Sequence, residues 1–435
     1  DAFQITREPI FEQTARDIFD YVRRDMTDKE GGFYSAEDAD SLLARGKPEH
    51  AEGAFYVWTK DEIERVLGPE RTKGFTYHYG VEAKGNAPAG SDPQGEFKGR
   101  NILIQRHTPA ETAKKFGLDE AKAAQFLAES RKLLFEARAN RPRPHLDDKI
   151  ITAWNGLMIS AFARAAQVLG DPAYLDAANR AADFVKAKLS RDDGRTLLRS
   201  YREGASDVPG FADDYAFLIQ GLLDLYEASF DTGRVAWALE LQEQQNKLFG
   251  DDKQGGYFST TGKDPKVLLR MKEDYDGAEP SPNSTAAVNL LRLASLLNRA
   301  DFRALAGKTL HAFHAQLERA PSAMPQMLVA HGWLQSKPKQ IVIAGKPGAD
   351  DTQAMLREVH RHFIAHRVLV LADGAAGQQF FASHVEFIKS VAPAKGAATA
   401  FVCENFVCQL PVTEVKALAG LLADGRPSSP PQLKK

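Results

Sequence analysis

Residues 145–162 read HLDDKIITAWNGLMISAF, a charged loop that runs directly into a long apolar segment. The apolar side chains of this segment recur at helical spacing, and Trp154 and Asn155 fall in its first turns. The pattern predicts an acidic loop at the start of a buried helix.

The same order of acidic loop and apolar helix returns twice along the chain. Residues 210–228 read GFADDYAFLIQGLLDLYEA, and residues 274–297 read DYDGAEPSPNSTAAVNLLRLASLL. Asp147, Asp213 and Asp276 follow one another roughly 65 residues apart, a length that holds two helices and a long loop. If these repeats stack around an axis, the three acidic loops gather at one end and form a carboxylate-lined pocket.

The predicted helices come in pairs, with short gaps within a pair and long gaps between pairs. The pairs are residues 150–169 with 172–189, 213–229 with 231–249, and 283–297 with 301–317. This spacing is typical of an α/α toroid with alternating inner and outer helices, which we predict for residues 1–336. Strands then alternate with helices, so we predict a small α/β domain over residues 337–425. The Pro- and Ser-rich residues 426–435 predict a disordered tail.

Composition excludes several classes of protein. The net charge of −2 gives no electrostatic case for binding nucleic acid or an anionic membrane surface. No apolar run approaches the roughly 20 residues of a membrane span. Cys403 and Cys408, the only cysteines, are too few for a four-cysteine zinc site. We expect a cytoplasmic protein with two reduced thiols and no cofactor; a disulfide or redox pair is the alternative.

Four carboxylates and one histidine are candidate catalytic residues. They are Asp147, Asp148, Asp213, Asp214 and His145. Glycoside hydrolysis needs two carboxylates about 5 to 10 Å apart, and a histidine suits epimerisation because its pKa lies near working pH. A structural role is the alternative for each, because Asp is a preferred N-cap residue before a helix. His145 has no obvious partner at a matching repeat position, which favours the alternative of a loop residue bonded to a nearby carboxylate.

Aromatic, amide and acidic residues beside these loops are candidate contacts for a sugar. They are Trp58, Trp154, Asn155, Tyr215, Asp276, Glu279, Asn283, Glu37, Asp38 and Asp40. The last three form a further acidic loop whose oxygens suit a hard cation, but their spacing is not that of an EF-hand loop. A solvated, self-capping turn is the alternative there, and we predict no metal. Trp58 and Trp154 are also typical core residues.

Six strings in order resemble one family. They are GGFYSAEDADS (31–41), FYVWT (55–59), RPRPHLDDKIITAWNGLMISAFA (141–163), PGFADDYAFLIQGLLDLYEA (209–228), EDYDGAEPSPNS (273–284) and FVCENFVCQLPV (401–412). Together they resemble the spermatogenesis-associated protein 20 family of thioredoxin-domain-containing proteins. The resemblance implies a mainly α chain: an (α/α)6 toroid similar to six-hairpin glycosidases and N-acylglucosamine 2-epimerases, followed by the small α/β domain.

The chain departs from the family pattern at its start. The resemblance implies an upstream thioredoxin-like domain and first toroid helices that this sequence lacks. We therefore expect the toroid to be incomplete here, and to be completed by that domain or by a second chain. Two functions follow as hypotheses: a carbohydrate-active enzyme (a glycoside hydrolase or sugar epimerase) with an acidic pocket, or a non-catalytic binding or redox-partner scaffold for the thioredoxin-like domain.

Overall fold

The structure is a computed structural model that describes residues 1–88, 90, 92, 95–404 and 407–423. The chain divides into two compact units. The small unit is Ala36–Asp148, and the large unit is Asp1–Ser35 with Lys149–Lys435. The predicted boundary at residue 336 falls inside the large unit and stays a prediction. The predicted tail, residues 426–435, lies outside the described residues.

The fold is mainly α, as predicted. In chain order, the α-helices are α1 (Ala2–Thr6), α2 (Pro9–Asp25), α3 (Lys60–Tyr79), α4 (Pro109–Phe116), α5 (Glu120–Arg138), α6 (Thr152–Leu169), α7 (Pro172–Lys188), α8 (Ala212–Ser229), α9 (Thr232–Phe249), α10 (Pro282–Leu297), α11 (Ala300–Ala312), α12 (His314–Arg319), α13 (Pro325–Gln335), α14 (Asp350–Arg361), α15 (Ala376–Ala382) and α16 (Val415–Ala423). Within the described ranges, every helix is too short or too polar to traverse a lipid bilayer.

The strands are mostly pairs of residues that stabilise loops. They are β1 (Ala36–Glu37), β2 (Asp40–Leu42), β3 (His50–Glu52), β4 (Leu146–Asp147), β5 (Ile150–Ile151), β6 (Ser190–Arg191), β7 (Thr196–Leu197), β8 (Ser200–Tyr201), β9 (Lys339–Ala344), β10 (Arg367–Ala372), β11 (Thr399–Glu404) and β12 (Val407–Cys408).

Helical hairpins build most of the large unit. The inner helices α6, α8, α10 and α13 pack side by side in that order, and α7, α9 and α11 each pack outside the preceding inner helix. The inner helices α8 and α10 are buried along nearly their whole length, as expected of helices covered on both sides. This alternation of inner and outer helices is that of an α/α toroid and confirms the predicted fold class.

Two glycines allow α6 and α8 to approach closely. A Cβ built on Gly156 would lie 2.5 Å from the backbone nitrogen of Leu218, and one on Gly221 would lie 2.5 Å from the carbonyl oxygen of Gly156. Neither distance is compatible with a side chain, so the two helix backbones are in direct contact here. This contact fixes the spacing of the helices that carry Trp154 and Asp213.

A four-stranded sheet follows the helical hairpins, in the order β10-β9-β11-β12. β9 and β10 are parallel, whereas β11 is antiparallel to both β9 and β12. The helix α14 connects the two parallel strands and packs its apolar face on the sheet with α16. Strands therefore alternate with helices in this part of the chain, as predicted.

The two cysteines form a disulfide, so the expectation of reduced thiols is wrong in this structure. Cys403 on β11 and Cys408 on β12 lie directly opposite each other in the antiparallel register. A hairpin therefore brings together two residues that are only five positions apart.

The small unit packs α3, α4 and α5 around an apolar core that includes Trp58. Thr59 and Glu62 form a capping box at the start of α3. Residues 54–58 have the composition of a strand, but the chain turns there before a single bridge at Trp58. The Arg141 guanidinium donates to the carbonyls of Phe55 and Val57 at 3.0 and 2.7 Å, which uses acceptors that a neighbouring strand would need.

Acid is expected to destabilise the large unit through His360 of α14. The side chain is 8% exposed, and burial, with a smaller contribution from Arg367, lowers the pKa of His360 to about 3. Because this folded-state pKa is below that of the unfolded chain, the stability is present above about pH 6.5 and is lost as the pH falls. Between pH 7 and pH 5 the loss is about 2 kcal/mol. Urea unfolding of wild type and His360→Leu between pH 7 and pH 5 isolates this loss as a change in the difference between their free energies of unfolding. A difference that stays constant over this pH range contradicts the prediction.

Candidate functional site

Asp214 is fully buried and joins the N-terminal ends of two inner helices. Its Oδ2 accepts the N–H of Phe211, the N-cap residue of α8, at 2.8 Å. Its Oδ1 accepts the N–H of Ala153, in the first turn of α6, at 2.9 Å. Nη1 of Arg199 lies 3.0 Å from Oδ2 of Asp214. These bonds favour the capping role for Asp214 that the sequence left open.

Opposing effects act on the proton affinity of Asp214. Burial and the charge of Asp213 raise the pKa of Asp214 to about 7, although Arg199 and the Phe211 N–H act to lower it. Burial lowers the pKa of Arg199, but the two carboxylates raise it further, and the net shift is upward. Asp214 therefore changes its charge near neutral pH while Arg199 stays charged.

Asp213 is the accessible member of the carboxylate pair. Its side chain is 18% exposed, and its Oδ2 accepts a hydrogen bond from Arg199 Nη1 at 2.6 Å. Asp213 also lies in the first turn of α8, where the helix dipole favours negative charge. The carboxylate is thus oriented by a fixed cation and open to a ligand.

Trp154 and Glu279 form an exposed pair at the same end of the inner helices. The indole N–H of Trp154 donates to Glu279 Oε2 at 3.0 Å, and Trp154 is 41% exposed. Trp154 directly follows Ala153, the residue bonded to Asp214. The first turns of α6 and α8 and the loop before α10 therefore bring Asp213, Trp154 and Glu279 to one neighbourhood, which we call the mouth.

Asp276 makes the same kind of two-helix cap as Asp214. Its Oδ1 accepts the N–H of Ser281, the N-cap of α10, at 2.8 Å. Its Oδ2 accepts the N–H of Gln326, in the first turn of α13, at 2.8 Å. These bonds favour a structural role over the predicted sugar contact.

Asn155 and Asn283 occupy equivalent positions in two repeats. Asn155 exchanges hydrogen bonds of 2.8 and 3.0 Å with the backbone N–H and carbonyl of Phe33. Asn283 does the same with Tyr257, at 2.6 and 2.9 Å. Both amides are completely buried. The repeated bond holds a glycine-rich loop against an inner helix, which favours a structural role for both residues.

Tyr215 lies in the core of the large unit. Its side chain is buried, and its hydroxyl accepts the N–H of Leu197 at 3.0 Å. The predicted sugar contact is not supported by this burial, which favours a packing role.

The side chains of the acidic loop at Glu37, Asp38 and Asp40 form hydrogen bonds within the small unit. Glu37 accepts hydrogen bonds from Arg143 at 3.0 Å and from the Tyr56 hydroxyl at 2.7 Å. Burial and Glu37 raise the pKa of Tyr56 to about 12. Asp38 accepts the N–H of Asp40 at 3.1 Å, the self-capping turn that the sequence left open. In the described part of the chain, no group of three or more His, Cys, Asp or Glu side chains is placed to hold a metal ion.

Trp58 is a core residue of the small unit. It is buried, and the Arg141 guanidinium lies 3.9 Å from its ring centroid. This environment favours the packing role over a sugar platform.

His145, Asp147 and Asp148 also belong to the small unit. His145 is exposed, and its carbonyl oxygen accepts the N–H of Asp38 at 2.8 Å. Asp147 lies on β4, opposite Ala36 on β1. The catalytic roles of these three residues stay predictions.

Sequence reasoning missed Arg199, which bonds both carboxylates of the Asp213–Asp214 pair. Arg199 lies at the turn between β7 and β8, outside every acidic loop. A single arginine between two short strands carries no spacing signal, so only the three-dimensional pairing identifies it.

Known relatives match almost the whole chain. Spermatogenesis-associated protein 20 of Homo sapiens is 40% identical over 440 residues, which cover 97% of this chain and 56% of the human protein. The chain belongs to the spermatogenesis-associated protein 20 family. An uncharacterized family relative from Caenorhabditis elegans is 34% identical over 425 residues, 93% of this chain and 56% of the relative. The chain thus spans little more than half the length of these family members, and no family model matches it.

Solved structures give weaker likenesses. A D-mannose isomerase is 12% identical and matches 77% of this chain and 82% of that enzyme, with a TM-score of 0.35. A sugar epimerase from a ruminal bacterium is 12% identical over 69% of this chain and 72% of its own, with a TM-score of 0.34. An alpha-mannanase of family GH76 from Bacteroides thetaiotaomicron is 13% identical and matches 38% of this chain and 44% of its own, with a TM-score of 0.32. With scores this low, the fold assignment rests on the helix packing described above.

Proposed function

We propose that the chain is a carbohydrate-active enzyme, a glycoside hydrolase or a sugar epimerase, that acts at the mouth of the large unit. The observation that carries the proposal is that Arg199 fixes the partly exposed carboxylate of Asp213 at the start of α8. The bond between Asp214 and Ala153 joins this helix start to that of α6, where Trp154 pairs with Glu279. An acid–base group, an aromatic ring and a second carboxylate are the parts that such chemistry requires.

Asp213 is the proposed general acid or base. Its bond to Arg199 keeps the carboxylate in one orientation, and Asp214 changes its protonation near neutral pH, where acid–base catalysis works best. Glu279 supplies the second carboxylate, and the Trp154 ring supports the sugar face. Asp147, Asp148 and His145 of the small unit stay further candidates for the acid or base.

Asp213→Asn is expected to lower the turnover of a sugar substrate at least about 100-fold, because it removes the accessible carboxylate but keeps its shape. The thermal unfolding midpoint should barely change, since Arg199 is the one bonding partner of the Asp213 side chain among the described residues, and Arg199 retains Asp214. The measurement is hydrolysis of a panel of aryl glycosides, together with NMR detection of deuterium uptake by free aldoses in heavy water.

Asp231→Asn is the matched control. Asp231 is the exposed N-cap of α9, where it accepts the N–H of Gly233, and asparagine caps a helix equally well. Both its activity and its unfolding midpoint should equal those of wild type. Unchanged turnover in Asp213→Asn, or a wild-type chain that turns over none of the panel, would refute the proposal.

A non-catalytic binding or redox-partner scaffold is the second candidate. The observation that favours it is the Cys403–Cys408 disulfide, in which Cys408 is partly exposed. This function predicts ligand binding without turnover in the same panel. The upstream thioredoxin-like domain or second chain that would complete the toroid stays a proposal.

A further inference from the structure

A cavity of about 260 Å³ in the large unit is lined by the inner helices α6, α8, α10 and α13, by Asp1 and Gln4, and by residues 362–365 and 367. We call it the axial cavity. Gln220 and Glu227 line it from α8, and they lie 7 and 14 residues beyond Asp213 on the same helix. At 1.5 Å per residue, the cavity lies about 10 to 20 Å from the mouth. It is therefore a separate place in the fold.

A network of buried charges forms one wall of the axial cavity. Arg292 of α10 pairs with Asp224 at 2.8 Å and with Glu227 at 3.4 Å. Arg367 pairs with the other oxygen of Glu227 at 2.8 Å. The side chains of Asp224, Glu227 and Arg292 are each less than 10% exposed. Two guanidiniums face two carboxylates, so this wall has no net charge.

Hydroxyl and amide groups extend the network toward α6. Ser160 donates to Asp224 at 2.5 Å, and Gln220 donates to Ser160 at 3.3 Å. Trp333 and Val288 give the cavity apolar surface on the α13 and α10 sides. The lining thus combines fixed donors and acceptors with an aromatic ring.

Helix packing alone does not call for such a wall. Replacing a buried ion pair by well-packed apolar residues is often neutral or stabilising. The other buried residues in the C-terminal halves of α8 and α10 are mainly apolar. The combination of a balanced polar wall with open space is typical of a binding site for a polar molecule. A neutral polyol suits it best, because hydroxyl groups both donate and accept, whereas a charged ligand would face a buried charge of its own sign.

We propose that the axial cavity binds a neutral polyol of monosaccharide size, with hydroxyls on the Arg292–Asp224–Glu227 wall and a carbon face against Trp333. The volume lies just below the roughly 300 Å³ at which pockets for drug-sized ligands begin. The inference stands on this geometry and does not depend on any reaction at Asp213.

Binding to the full chain tests the proposal. Titration calorimetry and saturation-transfer NMR with D-mannose and myo-inositol are expected to give a Kd of about 1 mM or tighter. D-Glucuronate and D-glucosamine, which carry opposite charges, should bind at least about tenfold more weakly. A chain that binds neither neutral polyol, or that binds the charged sugars equally well, overturns the proposal.

Substitutions that fill the cavity locate the bound sugar. Val168→Phe on α6 and Val288→Phe on α10 each place a larger side chain at the lining and should weaken binding at least about tenfold. Val407→Phe on the exposed strand β12 is the matched control and should bind as wild type does. Gln220→Leu, which keeps the cavity size, should also weaken binding and serves if the larger side chains prevent folding. Binding that survives the cavity substitutions, or that is lost equally in Val407→Phe, refutes the assignment.

Discussion

Gly156→Ala is expected to lower the free energy of unfolding by about 3 kcal/mol, because α6 and α8 have no room for a side chain where they cross. A Cβ at this position would meet backbone atoms of Phe217 and Leu218, which cannot rotate away as a side chain can. The helices would have to separate, and the caps that Asp214 makes to both of them would be strained. Urea unfolding of wild type and variant measures the loss as a change in midpoint at constant slope.

Gly307→Ala is the matched control for this prediction. Gly307 also lies inside a helix, α11, but the nearest atom to a built Cβ is Leu334 Cδ2 at 4.0 Å. Alanine should fit there and stabilise the chain by up to about 1 kcal/mol, through its higher helix propensity. Equal effects at the two glycines would show that the crossing of α6 and α8 is not the tight contact described.

Local signals explain why most helices could be predicted. The capping box of Thr59 and Glu62 and the Asp171–Pro172 start of α7 are read from residues adjacent in sequence. The alternating helix pairs follow from apolar periodicity, which reports burial directly. Elements of this kind depend on neighbouring residues and not on the register of distant ones.

Long-range pairing explains the errors. Residues 54–58 are rich in strand-forming side chains, yet Arg141, far along the chain, bonds their carbonyls and holds a turn. Cys403 and Cys408 become a disulfide only because β11 and β12 pair in one particular register. Propensity and spacing contain neither fact.

The candidate site was predictable as a region but not residue by residue. Acidic loops before apolar helices identified the Asp213–Asp214 pair and Asp276 correctly as helix-start positions. Successive residues on a helix point about 100° apart, so one carboxylate of a pair turns into the neighbouring helix while the next faces outward. Only the structure shows that Asp214 is the buried cap and Asp213 the accessible group.

Arg292→Met is expected to lower the free energy of unfolding by about 3 to 5 kcal/mol, because it leaves a buried carboxylate without its cation. Among the residues that the structure describes, Asp224 would keep only the hydroxyl of Ser160 as a side-chain donor, whereas Glu227 would retain Arg367. The greater part of the loss should therefore come from Asp224. Adding Asp224→Asn to Arg292→Met removes the unpaired charge and should recover a measurable part of the stability.

Arg299→Met is the matched control for Arg292→Met. Arg299 also pairs with two carboxylates, Asp301 at 2.7 Å and Glu243 at 3.2 Å, but both partners are more than half exposed. Solvent screens such pairs, so this substitution should cost less than about 1 kcal/mol. Urea unfolding of the two single variants and the double variant measures the loss of unfolding free energy at the buried and at the exposed arginine. If the two arginine substitutions lower the free energy of unfolding equally, or if Asp224→Asn deepens the loss, the buried network does not hold α8 and α10 together by charge pairing. The polar wall of the axial cavity would then need another explanation.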